Sequence, residues 1–286
     1  MAVPIIVGGQ LLGIMILDSQ IATNAFGEKD LQLFTGIANQ AALSIQNVKL
    51  AKKIEAEAQM RAKFERMMSP ILAEQVLSGK LEVTKGGELR ESTVLFADIR
   101  GFTPLSEGLG AQDVVAMLNE YFEMMIEIVF HNEGTLDKFI GDEIMVLYGA
   151  PTSRADDPVR AVHTALEMQA ALIEFNRTRQ AEGMVPILIG VGINTGEVVA
   201  GYMGSTRTME YTAIGDTVNT ASRLCSIAKA GEIIVSESTW ARVESQFEAV
   251  PLAPTKVKGK AAPLRIFNVT SVRRTFTAEI TNPGAA

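Results

Sequence analysis

Two aspartates lie next to apolar segments that predict buried strands, where an uncompensated carboxylate would be costly to desolvate. Asp98 follows Val94–Ala97 in "ESTVLFADIRGFT", and Asp142 lies at the turn of "LDKFIGDEIMVLYG". Each alone has an ordinary explanation, because aspartate often accepts backbone N–H groups in turns. Two central strands of one sheet would bring these carboxylates together, where they repel unless a proton or a cation lies between them. An all-oxygen pair predicts Mg²⁺ or Mn²⁺, which takes further ligands from water and a substrate phosphate.

Two further sequence segments carry polar and basic residues that could bind the negative charge of phosphate groups. Asn219 and Arg223 are four residues apart at a helix start in "YTAIGDTVNTASRLCSIA", so they share one face. The arginine could form a surface salt bridge, or it could meet charge that develops on phosphorus. The lysines of "TKVKGKAAPLRIF" fit either a solvated loop or a clamp for terminal phosphates. Gly101 would let the backbone approach a ligand, although no Walker-type phosphate loop occurs in the sequence.

The elements that must position these residues alternate from about residue 88 onward. A strand ends at Asp98, and two strands turn at Gly141-Asp142. We further predict helices over about 111–132, 156–181 and 216–229, strands in "PILIGVGINTG", "EVVAGYMG" and "TMEYTAIG", and short strands near 232–235 and 264–269. Long helices on one face of a largely antiparallel sheet predict an α+β, ferredoxin-like fold.

The residues before 88 predict a separate N-terminal part. Two short strands join at Gly8-Gly9, and apolar residues from Leu31 to Val48 recur at helical spacing, which predicts one helix from 28 to about 67. Beyond Lys49 the charged composition fits a solvated helix and a short coiled-coil seam equally well. We therefore divide the chain into residues 1–50, a helical linker over 51–87, a main domain over 88–272 and a disordered tail over 273–286.

The composition excludes several classes of protein. With 47% hydrophobic residues among 286 the chain can bury a full core, and a net charge of −7 argues against a nucleic-acid binder. A single cysteine, Cys225, excludes a disulfide framework and multi-cysteine metal sites. The sequence shows no signal peptide and no apolar span of membrane length, so we expect a cytoplasmic protein.

Four motifs, "FADIRGFT", "DKFIGD", "YTAIGDTVNTASR" and "VKGK", occur in the order and spacing of the class III nucleotidyl cyclases. Over residues of about 88–270 the chain resembles the catalytic domain of that family. The resemblance implies a βαββαβ domain that works as a head-to-tail homodimer with active sites shared between subunits. It further implies that ATP is converted to 3′,5′-cyclic AMP and pyrophosphate with two Mg²⁺ or Mn²⁺ ions per site.

The resemblance also implies roles for individual residues. Asp98 and Asp142 match the metal-binding aspartates, and the carbonyl of Ile99 matches a further metal ligand. Lys138 matches the residue that reads adenine, and Thr212 stands where many members carry an aspartate for the adenine amino group. The remaining matches are Asn219 for the ribose, Arg223 for the transition state and Lys258 for the triphosphate. Apart from the resemblance, the glycine itself predicts that the backbone amides of Gly101, Phe102 and Thr103 face phosphate oxygens.

A threonine at position 212 is typical of a subgroup of bacterial and soluble cyclases, several of which respond to bicarbonate. A guanylyl cyclase is the nearest alternative, but it would usually carry Glu in place of Lys138 and Cys in place of Thr212. A catalytically inactive nucleotide-binding dimerisation module is the other alternative, and it would yield no cyclic product. Residues 1–50 resemble the C-terminal part of a GAF sensor domain, in "GGQLLGIMILDS" and the helix after it.

Overall fold

The computed structural model describes residues 1–21, 25–65, 69–255 and 263–273, so the predicted tail over 273–286 lies outside the described residues except for its first residue. Its residues form two compact units, Met1–Met67 and Met68–Ala286. Within the described ranges, no helix combines the length and the apolar character needed to cross a membrane.

The first unit is a hairpin with a long helix. Strands β1 (Ala2–Val7) and β2 (Gln10–Ile16) pair antiparallel, and helix α1 covers Glu28–Glu65. Gly8 and Gly9 both have positive φ, which explains the two-glycine turn. Buried Val3 contacts the α1 face that carries Phe34 and Ala38. These elements confirm the two predicted strands and the predicted helix.

The second unit contains six helices and eight strands within the described residues. The helices are α2 (Pro70–Leu77), α3 (Phe102–Glu107), α4 (Ala111–His131), α5 (Asp157–Ala181), α6 (Asp216–Ile227) and α7 (Glu237–Val243). The strands are β3 (Glu88–Ile99), β4 (Thr135–Ile140), β5 (Glu143–Tyr148), β6 (Ile189–Gly204), β7 (Met209–Ile214), β8 (Ile233–Ser236), β9 (Phe247–Pro251) and β10 (Ile266–Val272). This α+β arrangement confirms the predicted fold class.

The sheet places β3 at its centre. The strand order is β4-β5-β3-β6-β8-β10-β9, and β7 pairs with the far part of β6. All these pairings are antiparallel except the parallel pair β6–β8. Because side chains alternate across a strand, Leu95 and Ala97 pack with α4 and α5, whereas Val94 and Phe96 pack on the other face with α6. Asp98 continues the α6-facing series.

Helix α6 lies directly on the backbone of β6. A Cβ added to Gly192 would overlap the backbone N of Cys225, and it would also lie too close to the carbonyl O of Ala221. Only glycine permits this approach, because any other side chain would separate the helix from the strand. The contact therefore fixes the height of α6 above the sheet.

Two predictions about this region were wrong. "PILIGVGINTG" and "EVVAGYMG" belong to one strand, β6, because Gly196 continues the ladder opposite Ser92 instead of turning the chain. A Cβ at Gly196 would lie 2.8 Å from Thr217 Oγ1, which explains this glycine by close packing. Helix α6 ends at Ile227, two residues before the predicted end. The short elements α3, α7 and β9 were not predicted.

Candidate active site

The structure brings Asp98 and Asp142 together at one end of the central strands. Ala97 pairs with Ile144, so the β4–β5 turn that carries Asp142 lies beside the end of β3. The backbone N–H of Ile99 donates to Asp142 Oδ2 at 3.2 Å. Burial, and then the hydrogen bond and charge of Asp98, raise the pKa of Asp142 to about 6. The two carboxylates are therefore close enough to share a proton or a cation.

The donor set at this end of the sheet fits a hard divalent cation. It consists of carboxylate oxygens, and Glu143 is a third carboxyl nearby. Burial and then the charge of Asp98 raise the pKa of Glu143 to about 7, so a bound cation would favour its ionised form. In the described part of the chain no group of three or more His, Cys, Asp or Glu side chains forms a complete metal cage. An incomplete protein shell is typical of Mg²⁺, which keeps waters and binds substrate phosphates.

Arg100 is a part of this site that the sequence analysis missed. Its Nη2 lies 2.7 Å from Asp98 Oδ2, and its Nε donates to the carbonyl O of Asp98 at 3.2 Å. The same Nη2 lies 3.6 Å from Cys225 Sγ on α6. Two-residue spacing along an extended chain places Asp98 and Arg100 on one side, which is the signal that could have identified this pair.

Asn219 and Arg223 do not lie on the face of α6 that carries Cys225, the residue in contact with the Asp98–Arg100 ion pair. Cys225 is fully buried, and its Sγ donates to the carbonyl O of Gly190, the residue paired with Asp98. At about 100° per residue, Arg223 lies about 200° around the helix from Cys225. Asn219 is exposed, and Arg223, which is half-buried, has no hydrogen bond or ion pair with a described residue. Within one chain, this pair therefore faces away from the carboxylates.

Lys138 and Thr212 come together through a third residue, Asp137. Thr212 Oγ1 donates to Asp137 Oδ2 at 2.7 Å and to Oδ1 at 3.0 Å, and Lys138 Nζ lies 3.5 Å from Oδ1. Lys138 Nζ also donates to Glu210 Oε2 at 2.8 Å. Burial raises the pKa of Asp137 above its usual value, and the hydrogen bond from Thr212 offsets only part of this rise. Although burial lowers the pKa of Lys138, the hydrogen bonds and charges of Glu210 and Asp137 together outweigh this effect, and the net shift is upward.

A bulge in β4 explains how the adjacent residues Asp137 and Lys138 both contact strand β7. The register with β5 shifts between Leu136 and Lys138, so Asp137 is the extra residue. Without a bulge, consecutive side chains would point to opposite faces of the sheet. Here Asp137 contacts Thr212 while Lys138 contacts Glu210, both of β7. Asp137 and Glu210 were not predicted from the sequence.

The segment after β3 turns sharply at Gly101. Its φ of 71° lies in the left-handed region, and helix α3 begins at the next residue. Phe102 packs against the main core, whereas Thr103 is exposed. Lys258, the predicted triphosphate ligand, lies outside the described residues.

Two family models match this chain. Residues 86–271 match the family described as "Adenylate and Guanylate cyclase catalytic domain", and residues 1–45 match the GAF domain. "Adenylate cyclase 1" of Rhizobium meliloti is 36% identical over 187 residues, which are 65% of this chain and 28% of that protein. The chain thus spans less than a third of the length of this relative.

Solved structures of both nucleotide specificities are similar to this chain. The guanylyl cyclase Cya2 is 40% identical with a TM-score of 0.64, over 68% of this chain and 98% of that one. The adenylyl cyclase CyaB from P. aeruginosa is 37% identical with a TM-score of 0.64, over 66% of this chain and 98% of that one. Overall similarity therefore does not distinguish an adenylyl from a guanylyl cyclase.

Proposed function

The chain belongs to the family of adenylate and guanylate cyclase catalytic domains, and from this premise we propose that it is an adenylyl cyclase. It would convert ATP to 3′,5′-cyclic AMP and pyrophosphate. The observation that carries the proposal is the close pair Asp98 and Asp142 in a chain whose Asn219 and Arg223 face away from that pair. Each chain would thus carry one half of an active site at the carboxylates and the other half on the Asn219–Arg223 face of α6. A second copy of the chain would complete both.

Family members are generally metal-dependent, and we propose two Mg²⁺ or Mn²⁺ ions per site. Asp98, Asp142 and the carbonyl of Ile99 would hold them. When bound, such ions supply Lewis acidity at the 3′-hydroxyl and neutralise triphosphate charge. The proximity of the carboxylates and the raised pKa of Asp142 support this assignment, because a cation between them removes their mutual repulsion.

The other polar residues would hold the nucleotide for in-line attack of the 3′-oxygen on the α-phosphorus. Asn219 would orient the ribose, and the guanidinium of Arg223 would neutralise charge that develops on the α-phosphate as pyrophosphate leaves. Lys258 would bind the terminal phosphates. Gly101, Phe102 and Thr103 would present backbone amides to phosphate oxygens, which the left-handed turn at Gly101 allows.

Selection of adenine would depend on Lys138 and Thr212. Lys138 has only donors, so it suits the acceptor N1 of adenine and not the N1–H of guanine. Likeness to Cya2 keeps guanylyl cyclase as a second candidate, and GTP is therefore a required substrate in the test. Thr212 also makes bicarbonate a candidate activator, and a flat response to bicarbonate at fixed pH would remove it.

The geometry of α6 supports a homodimer. If the carboxylates come from one subunit and the Asn219–Arg223 face from its partner, twofold symmetry creates two equivalent sites. The long helix α1 exposes apolar residues, including Leu33, Leu43 and Ile54, which would suit a dimerising arm. A monomer should therefore be inactive.

The deciding experiment measures cyclic product from ATP and, separately, from GTP, with Mg²⁺ or Mn²⁺. Asp98→Ala should abolish the product, whereas Glu120→Ala, which removes an exposed carboxylate on α4, should not. Cyclic AMP from the wild type would establish the reaction and its base preference. A confirmed dimer that forms no cyclic product at any protein concentration would contradict the proposal and favour an inactive nucleotide-binding module.

A further inference from the structure

Asp137 is a fully buried carboxylate with three donors around it. Its side chain has no exposed surface. It accepts from Thr212 Oγ1 at 2.7 Å and 3.0 Å, accepts from the backbone N–H of Ala213 at 3.3 Å, and lies 3.5 Å from Lys138 Nζ. Burying a carboxylate is expensive unless such partners compensate it. The position of Asp137 on the bulge of β4 is what brings these partners within reach.

The contact with Asp137 fixes what Thr212 can offer to a ligand. A threonine hydroxyl has one proton and two acceptor positions, and an ionised carboxylate can only accept. The proton of Thr212 is therefore committed to Asp137, so that Oγ1 is left with acceptor capacity alone. Lys138, which belongs to the same cluster, can only donate hydrogen bonds. The pair presents one donor and one acceptor side by side.

We propose that Asp137 is a specificity-positioning residue that makes Thr212 an acceptor for the 6-amino group of adenine. This inference rests on the proposed adenylyl cyclase function and deepens it. The Watson–Crick edge of adenine has an acceptor at N1 beside a donor at N6, which complements Lys138 beside Thr212. Guanine has a carbonyl oxygen at position 6, and an acceptor at Thr212 repels it.

The test compares ATP with purine riboside triphosphate, which differs from ATP only in lacking the 6-amino group. The ratio of kcat/KM between these nucleotides isolates one hydrogen bond, because any effect through Lys138 at N1 is common to both and cancels. In the wild type the ratio should favour ATP by about 10-fold, the discrimination expected of one hydrogen bond. Asp137→Asn keeps the size of the side chain but can donate to Thr212 Oγ1, so the hydroxyl proton is free to turn outward.

We expect Asp137→Asn to bring the ratio close to one and to raise the use of GTP relative to ATP. Glu210→Gln is the matched control, since Glu210 contacts Lys138 but not Thr212, and its ratio should equal that of the wild type. Thr212→Val should lose the preference and Thr212→Ser should keep it. In the Thr212→Val background, Asp137→Asn should cause no further change in the ratio.

An unchanged ratio in folded Asp137→Asn would overturn the inference, because a purely structural role lowers both rates together. If that variant does not fold, a wild-type ratio of one would overturn it instead. Absence of any cyclic product from the wild type would contradict the proposed function and leave this inference open to the same test by binding. Dissociation constants of the two nucleotides would then replace kcat/KM, and equal affinities would refute the role of Asp137.

Discussion

Replacing Asp142 with asparagine should stabilise the metal-free protein while abolishing activity. Burial and the hydrogen-bonded neighbour Asp98 raise the pKa of Asp142 from 3.8 to about 6. An acid with a raised pKa in the folded state loses stability as pH rises from its unfolded pKa to its folded pKa. At pH 8 the wild type therefore carries the full destabilisation, whereas at pH 4 and below the protonated carboxyl removes most of it. An asparagine amide can donate to Asp98 where the carboxylate repels it.

The size of this effect follows from the position of the carboxyl. The rise in pKa corresponds to about 3 kcal/mol if it is fully expressed in the free energy of unfolding. Asp142 is only partly buried, so solvent screening reduces the effect to about 1 kcal/mol. The backbone N–H of Ile99 keeps its acceptor in the variant, because the amide oxygen can replace Oδ2.

Urea unfolding in the presence of a chelator, at pH 8 and again at pH 4, measures this difference. Asp142→Asn should be more stable than the wild type by about 1 kcal/mol at pH 8, and the gap should close at pH 4. Glu120→Gln controls for the loss of one negative charge. Adding Mn²⁺ should stabilise the wild type but not Asp142→Asn, because a ligand that binds the folded state raises its stability. A variant that is less stable at pH 8, or a gap that is the same at both pH values, would refute the reasoning.

Complementation between chains and the tight packing of the sheet give further predictions. Asp98→Ala and Arg223→Ala should each be inactive alone. When the two variants are mixed in equal amounts, they should regain about one quarter of wild-type activity, because half of the dimers are mixed and each mixed dimer carries one intact site of two. No recovery in confirmed mixed dimers would contradict shared sites. Gly192→Ala should destabilise the fold by about 3 kcal/mol, measured by urea unfolding, because its Cβ meets backbone. Gly36→Ala, whose Cβ meets open space in α1, should be neutral or stabilising. Leu95→Ala should cost about 3 kcal/mol by leaving a cavity in the core, and a loss below that of an exposed leucine would be inconsistent with its full burial.

The elements that carry strong local patterns could be predicted from the sequence. The apolar run before Asp98 identified the central strand, and helical spacing identified α1, α4 and α5 within a few residues. The pairing of Asp98 with Asp142 could be anticipated because each follows or opens a central strand. In these places, the local pattern and the tertiary structure favour the same answer.

The remaining features depend on contacts between distant segments. Asp137 and Thr212 are 75 residues apart, and nothing local indicates that a bulge would place them in contact. Two separate strands were predicted to divide after Gly196, but this glycine packs closely against Thr217 within one continuous strand. The opposed faces of α6 also became apparent only when the buried position of Cys225 was known.

The seating of α6 on Gly192 constrains how such an enzyme can be regulated. At Gly192 backbone rests on backbone, so no side chain separates the helix from the strand at this point. We therefore expect Asn219 and Arg223 to move together with the sheet that carries Asp98. If the site is shared between two chains as proposed, a regulatory signal would act by changing how far apart, and at what angle, the two catalytic domains are held.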